Sequence, residues 1–201
     1  MIAIIDYGAG NLFSVKNALD FLGLPNLVTK SEQDLLDADH IILPGVGAFA
    51  DAMGMLNATG LVDTIKAQAH KKPFLGICVG MQLLFETGYE FGVTKGLGLI
   101  PGEVRLLQTG GLKVPHMGWN ELAVQTPCPL TETLQPGDYV YFVHSYGAVC
   151  PGEFISASCE YGSRIPALVH SGNLYGAQFH PEKSGRVGLA MLKKFGELKP
   201  I

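Results

Sequence analysis

The sequence predicts an α/β fold: an open, mostly parallel sheet with helices on both faces and an antiparallel extension. Three observations carry this expectation. Over roughly the first ninety residues, short apolar runs alternate with longer amphipathic ones, the rhythm of βαβ units. Glycine-rich segments close two of those apolar runs, Pro44-Gly45-Val46-Gly47 and Gly76-Ile77-Cys78-Val79-Gly80. From about Gly102 onward the alternation gives way to strand-length runs joined by short turns, the pattern of hairpins.

Taken in order, Ile2–Asp6 reads as a buried strand, and Asn11 can cap a helix that runs to about Leu22 and stops at Gly23. Asn26–Thr29 is a second strand. Ser31 with Asp34 resembles a capping box for a short helix. His40–Leu43 is a third strand leading into the Pro44–Gly47 loop, and a helix over Leu61–His70 returns the chain to an apolar, Pro-bounded strand, Pro73–Ile77. A helix is expected to start at Met81-Gln82-Leu83-Leu84-Phe85-Glu86. The later strands are Gly102–Leu107, Trp119–Val124, Tyr139–Val143, Ile155–Glu160, Ala167–His170 and Leu174–Phe179, and Val187–Leu198 closes the chain as an amphipathic helix.

With 201 residues the chain suits one domain, residues 1–201, with room for a full core. Hydrophobic residues make up 47% and charged ones 16%, an apolar balance that hints at a covered surface. A formal charge of −4 without runs of like charge argues against nucleic acid or an anionic membrane as the main partner. The start, Met1-Ile2-Ala3-Ile4-Ile5-Asp6, lacks a basic region, and its apolar run ends too soon for a signal peptide or a spanning helix. Cys78, Cys128, Cys150 and Cys159 show no CxxC spacing, so no metal site is expected. A chain of this size has no need of disulfides, so reduced thiols in the cytoplasm are the expectation.

The chemistry concentrates at Cys78. It stands at a strand-to-helix corner with glycine two residues to either side, where missing Cβ atoms let strand and helix cross closely. A cysteine in a buried turn is usually a small hydrophobe; the Gly-x-Cys-x-Gly frame favours a nucleophile at a helix N-terminus, whose dipole favours a thiolate. Far downstream, His180-Pro181-Glu182 supplies the other half. The residue before proline is held extended, and extended residues two apart share a side, so Glu182 can orient the His180 ring. A base held by a carboxylate and a thiol on an elbow form a cysteine nucleophile system. Cys128, Cys150 and Cys159 have no such frame, and His40, His70, His116, His144 and His170 read as structural.

Pro44-Gly45-Val46-Gly47 alone could be a turn. Its place after a parallel strand lets its backbone N–H groups face a bound carbonyl oxygen, with the N–H of Val79 as the second donor. Gly8-Ala9-Gly10 lacks the third glycine of a dinucleotide fingerprint, and no acidic residue ends the second strand, so no dinucleotide cofactor is expected.

These residues resemble a known family. Gly76-Ile77-Cys78-Val79-Gly80-Met81-Gln82 with His180-Pro181-Glu182-Lys183-Ser184 is similar to the class I (triad) glutamine amidotransferases, whose flavodoxin-like fold agrees with the reading above. Asp6-Tyr7-Gly8-Ala9-Gly10-Asn11, Pro44–Phe49, Pro115-His116-Met117-Gly118-Trp119-Asn120 and Tyr141-Phe142-Val143-His144-Ser145-Tyr146 narrow the likeness to glutaminase subunits of imidazole glycerol phosphate synthase, over essentially the whole length. No catalytic position departs from that pattern; Ser145 stands where threonine is also familiar, and the hydroxyl is kept.

The resemblance implies that Cys78 attacks the side-chain amide of L-glutamine, with His180 as acid and base and Glu182 holding His180. It implies an oxyanion hole from the backbone at Val46 or Gly47 and at Val79, and glutamine held by Gly47, Gln82, Ser145 and Tyr146. Ammonia would pass to a separate (β/α)8-barrel cyclase subunit in a heterodimer, for a step of histidine biosynthesis, with no cofactor. Met117, Trp119, Asn120, Tyr141 and Lys183 would face that partner. Other amidotransferases of the class, feeding a pyridoxal phosphate or anthranilate synthase, use different loop and elbow residues. An α/β-hydrolase places its acid before its histidine, the reverse of the order here. A non-catalytic binding protein on the same fold would have no use for an intact Cys78, His180 and Glu182.

Overall fold

In the computed structural model, which describes residues 1–200, one eight-stranded sheet organises the chain. β1 (Ile2–Ile5) leads through α1 (Leu12–Phe21) to β2 (Asn26–Thr29), and α2 (Glu32–Asp37) leads back to β3 (His40–Gly45). α3 (Phe49–Ala58) and α4 (Val62–Ala69) precede β4 (Phe74–Cys78), which turns at once into α5 (Val79–Gln82). There follow β5 (Phe85–Gly88), β6 (Thr94–Lys95), β7 (Ile100–Leu106), β8 (His116–Glu121), β9 (Ala123–Val124), β10 (Tyr139–His144), β11 (Tyr146–Val149), β12 (Ile155–Glu160), β13 (Arg164–Ser171) and β14 (Leu174–Ala177). α6 (Gly185–Glu197) ends the order.

The main sheet runs β2-β1-β3-β4-β14-β13-β12-β9. Its pairs from β2 to β14 are parallel, and those from β14 through β13 and β12 to β9 are antiparallel. The expected parallel sheet with an antiparallel extension is therefore what forms. β1 to β2 steps one way along the sheet and β2 to β3 to β4 the other, so right-handed crossovers place α1 and the pair α2 and α4 on opposite faces. β1, β3 and β4 are buried along their whole length, as central strands covered on both sides must be. Among the described residues no helix is long and apolar enough to cross a membrane.

Local signals hold at several ends. Asn11 accepts the N–H of Ser14, and Gly23, at φ 68, ends α1. Ser31 accepts the N–H of Asp34, but the box is incomplete: the Ser31 N–H goes to the Thr29 hydroxyl, which in turn donates to Asp34.

Four expectations need correction. The helix expected from Met81 to Glu86 is a single turn, α5, and Phe85 already starts a strand. Met81 to Phe85 are all buried, so the run has no polar face for a surface helix. α3 was not expected, although Phe49, Ala52, Met53 and Leu56 recur at helical spacing and are buried. The strand expected over Trp119–Val124 splits at the buried Leu122: β9 edges the main sheet, whereas β8 pairs with β10 in a separate two-stranded ribbon. A further small sheet, β11-β7-β5-β6, takes in β7 and three strands the sequence did not mark.

Candidate active site

In the register of β3 and β4, Gly45 lies opposite Cys78. The loop after one strand and the corner after the other thus meet at the carboxyl edge of the sheet, where open α/β folds place their sites. Cys78 has φ 54 and ψ −112, a conformation that costs a residue with a Cβ of order 1–3 kcal/mol. Glycine neighbours make the corner possible. A Cβ on Gly80 would lie 1.9 Å from the Leu43 carbonyl oxygen, one on Gly76 2.5 Å from the Gly80 oxygen, and one on Gly45 2.4 Å from the Gly80 nitrogen. Because α5 is one turn long, it offers little dipole. The groups near the Cys78 sulfur are instead the Val143 carbonyl oxygen at 4.0 Å and Gln178 Nε2 at 3.9 Å.

His180 is fixed from both ends. Its backbone N–H donates to the Tyr141 carbonyl, and the Ser184 hydroxyl donates to its carbonyl at 2.7 Å while accepting the Tyr141 N–H at 3.0 Å. Its Nδ1 lies 2.8 Å from Glu182 Oε1, with both side chains almost wholly buried. His180 is extended as expected, but Glu182 reaches the ring through a 3-10 turn over Pro181–Lys183 and not by strand alternation. Burial works against a charged His180, yet the Cys78 sulfur and the Glu182 carboxylate outweigh it and raise the ring to about 9. Nε2 is buried without a hydrogen-bond partner, and His180 lines the same cavity as Cys78.

That cavity, of about 310 Å³, gathers most of the sequence-predicted residues: Val46, Gly47, Cys78, Val79, Gln82, Ser145, Tyr146 and His180. Gly47, at φ 91, holds a turn closed to most side chains. Gln82 spends both amide protons inside the protein, on the Tyr146 carbonyl at 2.9 Å and Gln178 Oε1 at 3.1 Å, so only its Oε1 remains for a ligand. Cys150 and Cys159 are poorly suited as nucleophiles: burial pushes Cys150 up to about 11 and Cys159, beside Glu160, up to about 12.

The remaining predicted residues lie away from the cavity. Met117 and Trp119 on β8 are exposed on one face of the ribbon, and their cross-strand partners are Val143 and Tyr141 on β10. The Trp119 and Tyr141 rings meet edge-on at 6.1 Å. Lys183 sits on the turn beyond His180, exposed. Asn120 points to the opposite face, donating to His116 Nε2 and the Glu160 carbonyl.

Sequence reasoning missed three residues. Glu90 brings a carboxylate to the cavity wall and accepts the Phe49 N–H at 2.8 Å; its one sequence signal is the glycine bracket Gly88-Tyr89-Glu90-Phe91-Gly92. Gln178, two residues before His180, was legible from strand alternation. Ser184 locks His180 to β10, a long-range contact with no local signature.

Comparison with known proteins agrees with this geometry. Residues 3–197 match the family Glutamine amidotransferase class-I. The chain is 53% identical over 200 residues to imidazole glycerol phosphate synthase subunit HisH of Listeria innocua serovar 6a, covering 98% of this chain and 96% of that one. It is 50% identical over 196 residues to the subunit of that name from Bacillus cereus strain G9842, covering 97% and 93%. A solved glutamine amidotransferase superposes with TM-score 0.75 at 19% identity, covering 98% of this chain and all of that one. PurLQS from Thermotoga maritima gives 0.71 at 23% identity, covering 96% of each chain; at such identities these two speak for the fold alone. With strand order, nucleophile corner and full-length likeness in agreement, the chain belongs to the class-I glutamine amidotransferases, among the HisH subunits of imidazole glycerol phosphate synthase.

Proposed function

We propose that the chain hydrolyses L-glutamine through a thioester on Cys78 and hands the ammonia to a (β/α)8-barrel cyclase subunit, as a cytoplasmic heterodimer serving histidine biosynthesis. The observation that carries the chemistry is Cys78 at a strained corner, sharing one cavity with a His180 whose Nδ1 is held by a buried carboxylate. The Cys78 sulfur attacks the amide carbon, and the oxyanion is met by backbone N–H groups of Val46 or Gly47 and of Val79, which line the cavity beside it. His180, protonated by preference, gives its proton through Nε2 to the leaving ammonia. The neutral ring then takes a proton from water, whose attack on the thioester releases glutamate. Glu182 holds the ring in place and offsets its charge throughout.

The cavity suits an amino acid. Glu90 supplies an anion for the α-ammonium group, while Gly47, Gln82, Ser145 and Tyr146 hold the remainder. The exposed aromatic face of β8 and β10, with Met117, Trp119 and Tyr141, and Lys183 on the nearby turn, form the docking face for the cyclase. Ammonia leaves on that side because it stays a nucleophile only while water is kept from protonating it.

The test is glutamate and ammonia release from glutamine, by the chain alone and with the cyclase subunit and its nucleotide ligand. Slow turnover alone and fast turnover in the complex is the expected outcome, since a glycine loop at the oxyanion site need not be correctly turned before the partner binds. No glutamate formation in either state would overturn the reading.

A further inference from the structure

The ribbon of β8 and β10 has a second face that none of this chemistry uses. On it lie His116 and His144, directly opposite each other in the strand register and both buried. His116 is stacked between Phe142, at 4.7 Å, and Tyr161, at 4.1 Å. His144 Nδ1 lies 2.9 Å from the Tyr146 carbonyl oxygen, and His116 Nδ1 lies 3.0 Å from His144 Nε2. A carbonyl only accepts, so His144 carries its proton on Nδ1 and offers the lone pair of Nε2 to its neighbour. His116 therefore donates from Nδ1 and accepts at Nε2, where Asn120 Nδ2 stands at 3.3 Å and also donates to the Glu160 carbonyl at 2.9 Å.

Every proton in this chain has one allowed place, and a charge on either ring would set N–H against N–H. Burial holds both rings below the usual histidine range, His144 down to about 4, which keeps the pair neutral near pH 7. The chain ends at a junction of the active site. The Tyr146 carbonyl also accepts from Gln82, Gln82 donates to Gln178, and Gln178 Nε2 is the group 3.9 Å from the Cys78 sulfur. Ser145, between His144 and Tyr146, lines the cavity with both of them.

We propose that His116 and His144 are positioning residues for the glutaminase reaction: they hold the Ser145–Tyr146 segment to Gln82 and carry the seating of the partner on the ribbon's outer face into the glutamine cavity. The second half rests on the docking face proposed above; the first does not. Two imidazole rings and a carbonyl form a stiff link, and the outer-face Trp119 and the inner-face Asn120 are adjacent residues of one strand. A shift of that strand on docking therefore pulls on both ends of the chain together.

The test uses the heterodimer. His116→Phe keeps a ring between Phe142 and Tyr161 but neither donates nor accepts. His116→Asn returns a donor near the Nδ1 position, and Asn120→Leu removes only the outer end. For His116→Phe the expected result is a glutamine KM raised about tenfold with a smaller change in kcat, partial recovery in His116→Asn, and an unchanged partner Kd. Stimulation by the cyclase subunit should fall by about tenfold in both His116→Phe and Asn120→Leu. Ring 15N shifts of the wild-type complex should show both histidines neutral and protonated on Nδ1. A folded His116→Phe or Asn120→Leu with unaltered KM and stimulation overturns the proposal, as does an Nε2-protonated ring in the wild type. An inactive wild-type complex would instead refute the glutaminase reading itself, so the two failures are told apart. If His116→Phe does not fold, Asn120→Leu and the ring shifts decide.

Discussion

His180 and His144 are both nearly sealed from solvent, at 2% and 6% exposure, yet one is pushed up to about 9 and the other down to about 4. Both lose water, and that loss alone favours the neutral ring. The difference lies in what replaces the water. His180 has the Cys78 sulfur on one side and the Glu182 carboxylate on the other, whereas His144 faces the Tyr146 carbonyl and two more imidazoles, His116 and His180. Equal burial therefore produces a ring that keeps its proton as a catalyst and a ring that rejects one as a strut. The two roles cannot be exchanged by burial alone; they follow the anions.

The comparison breaks most completely at Cys78. Cys78→Ser should lower glutamine hydrolysis by about 10⁴-fold or more, and His180→Asn nearly as much, because residues acting as a unit fail together. A glutamine-mimicking electrophile should label Cys78 alone; mass mapping that finds the label on Cys128, Cys150 or Cys159 would remove the nucleophile assignment.

A smaller effect separates the rings by pH. Unfolded His144 takes up its proton near 6.5 and folded His144 only near 4, so between those values the unfolded chain binds more proton and stability falls as pH falls. The shift is worth roughly 3 kcal/mol, complete below about pH 4. His180 has the opposite sign: its contribution is fully present below 6.5 and is lost as pH rises through about 9. Denaturant titrations of the wild type and His144→Asn between pH 4 and 7 should show the acid-side slope flattened in the variant; parallel slopes would mean that His144 is not the group responsible.

Glu182→Gln sharpens the contrast. Orientation of His180 partly survives, so the cost should be about 10²-fold in kcat, less than for His180 itself. The ring loses its carboxylate partner and its pKa should drop, towards the behaviour of His144. An NMR titration that leaves His180 where it was would show that Cys78 alone sets it. The smallest effect belongs to the ribbon's outer face. Trp119→Ala should weaken the heterodimer by ~2 kcal/mol, about 30-fold in Kd. The accompanying readout is glutamate formed in excess of imidazole product; a ratio held at one with full affinity would place docking elsewhere.

The two rings also mark what the sequence could reveal. Cys78 and His180 were legible because each carries a local signature, a glycine frame and a proline that fixes the preceding backbone. The parallel half was legible for the same reason: β1 to β4 are short apolar runs closed by caps and glycines, read nearly to the residue. His116 and His144 looked structural because their meaning lies in a cross-strand register 28 residues apart, which no local pattern encodes. Asn120 was grouped with Trp119 because the family resemblance puts both in one segment, whereas strand alternation places neighbours on opposite faces. The strands β5, β6 and β11 escaped because short, twisted edge strands lean on tertiary partners more than on propensity.

The contacts among Gly45, Gly76 and Gly80 have a consequence for how the molecule can change over generations. Where a Cβ would come within 2.5 Å of a neighbouring backbone atom, any of the other nineteen residues forces α5 away from the strands it crosses. Sites that touch no substrate should then tolerate replacement as poorly as the triad itself. A saturation library read by growth without histidine would show three blank columns there, and a homologue search keyed to reactive side chains alone would overlook half of what the nucleophile requires.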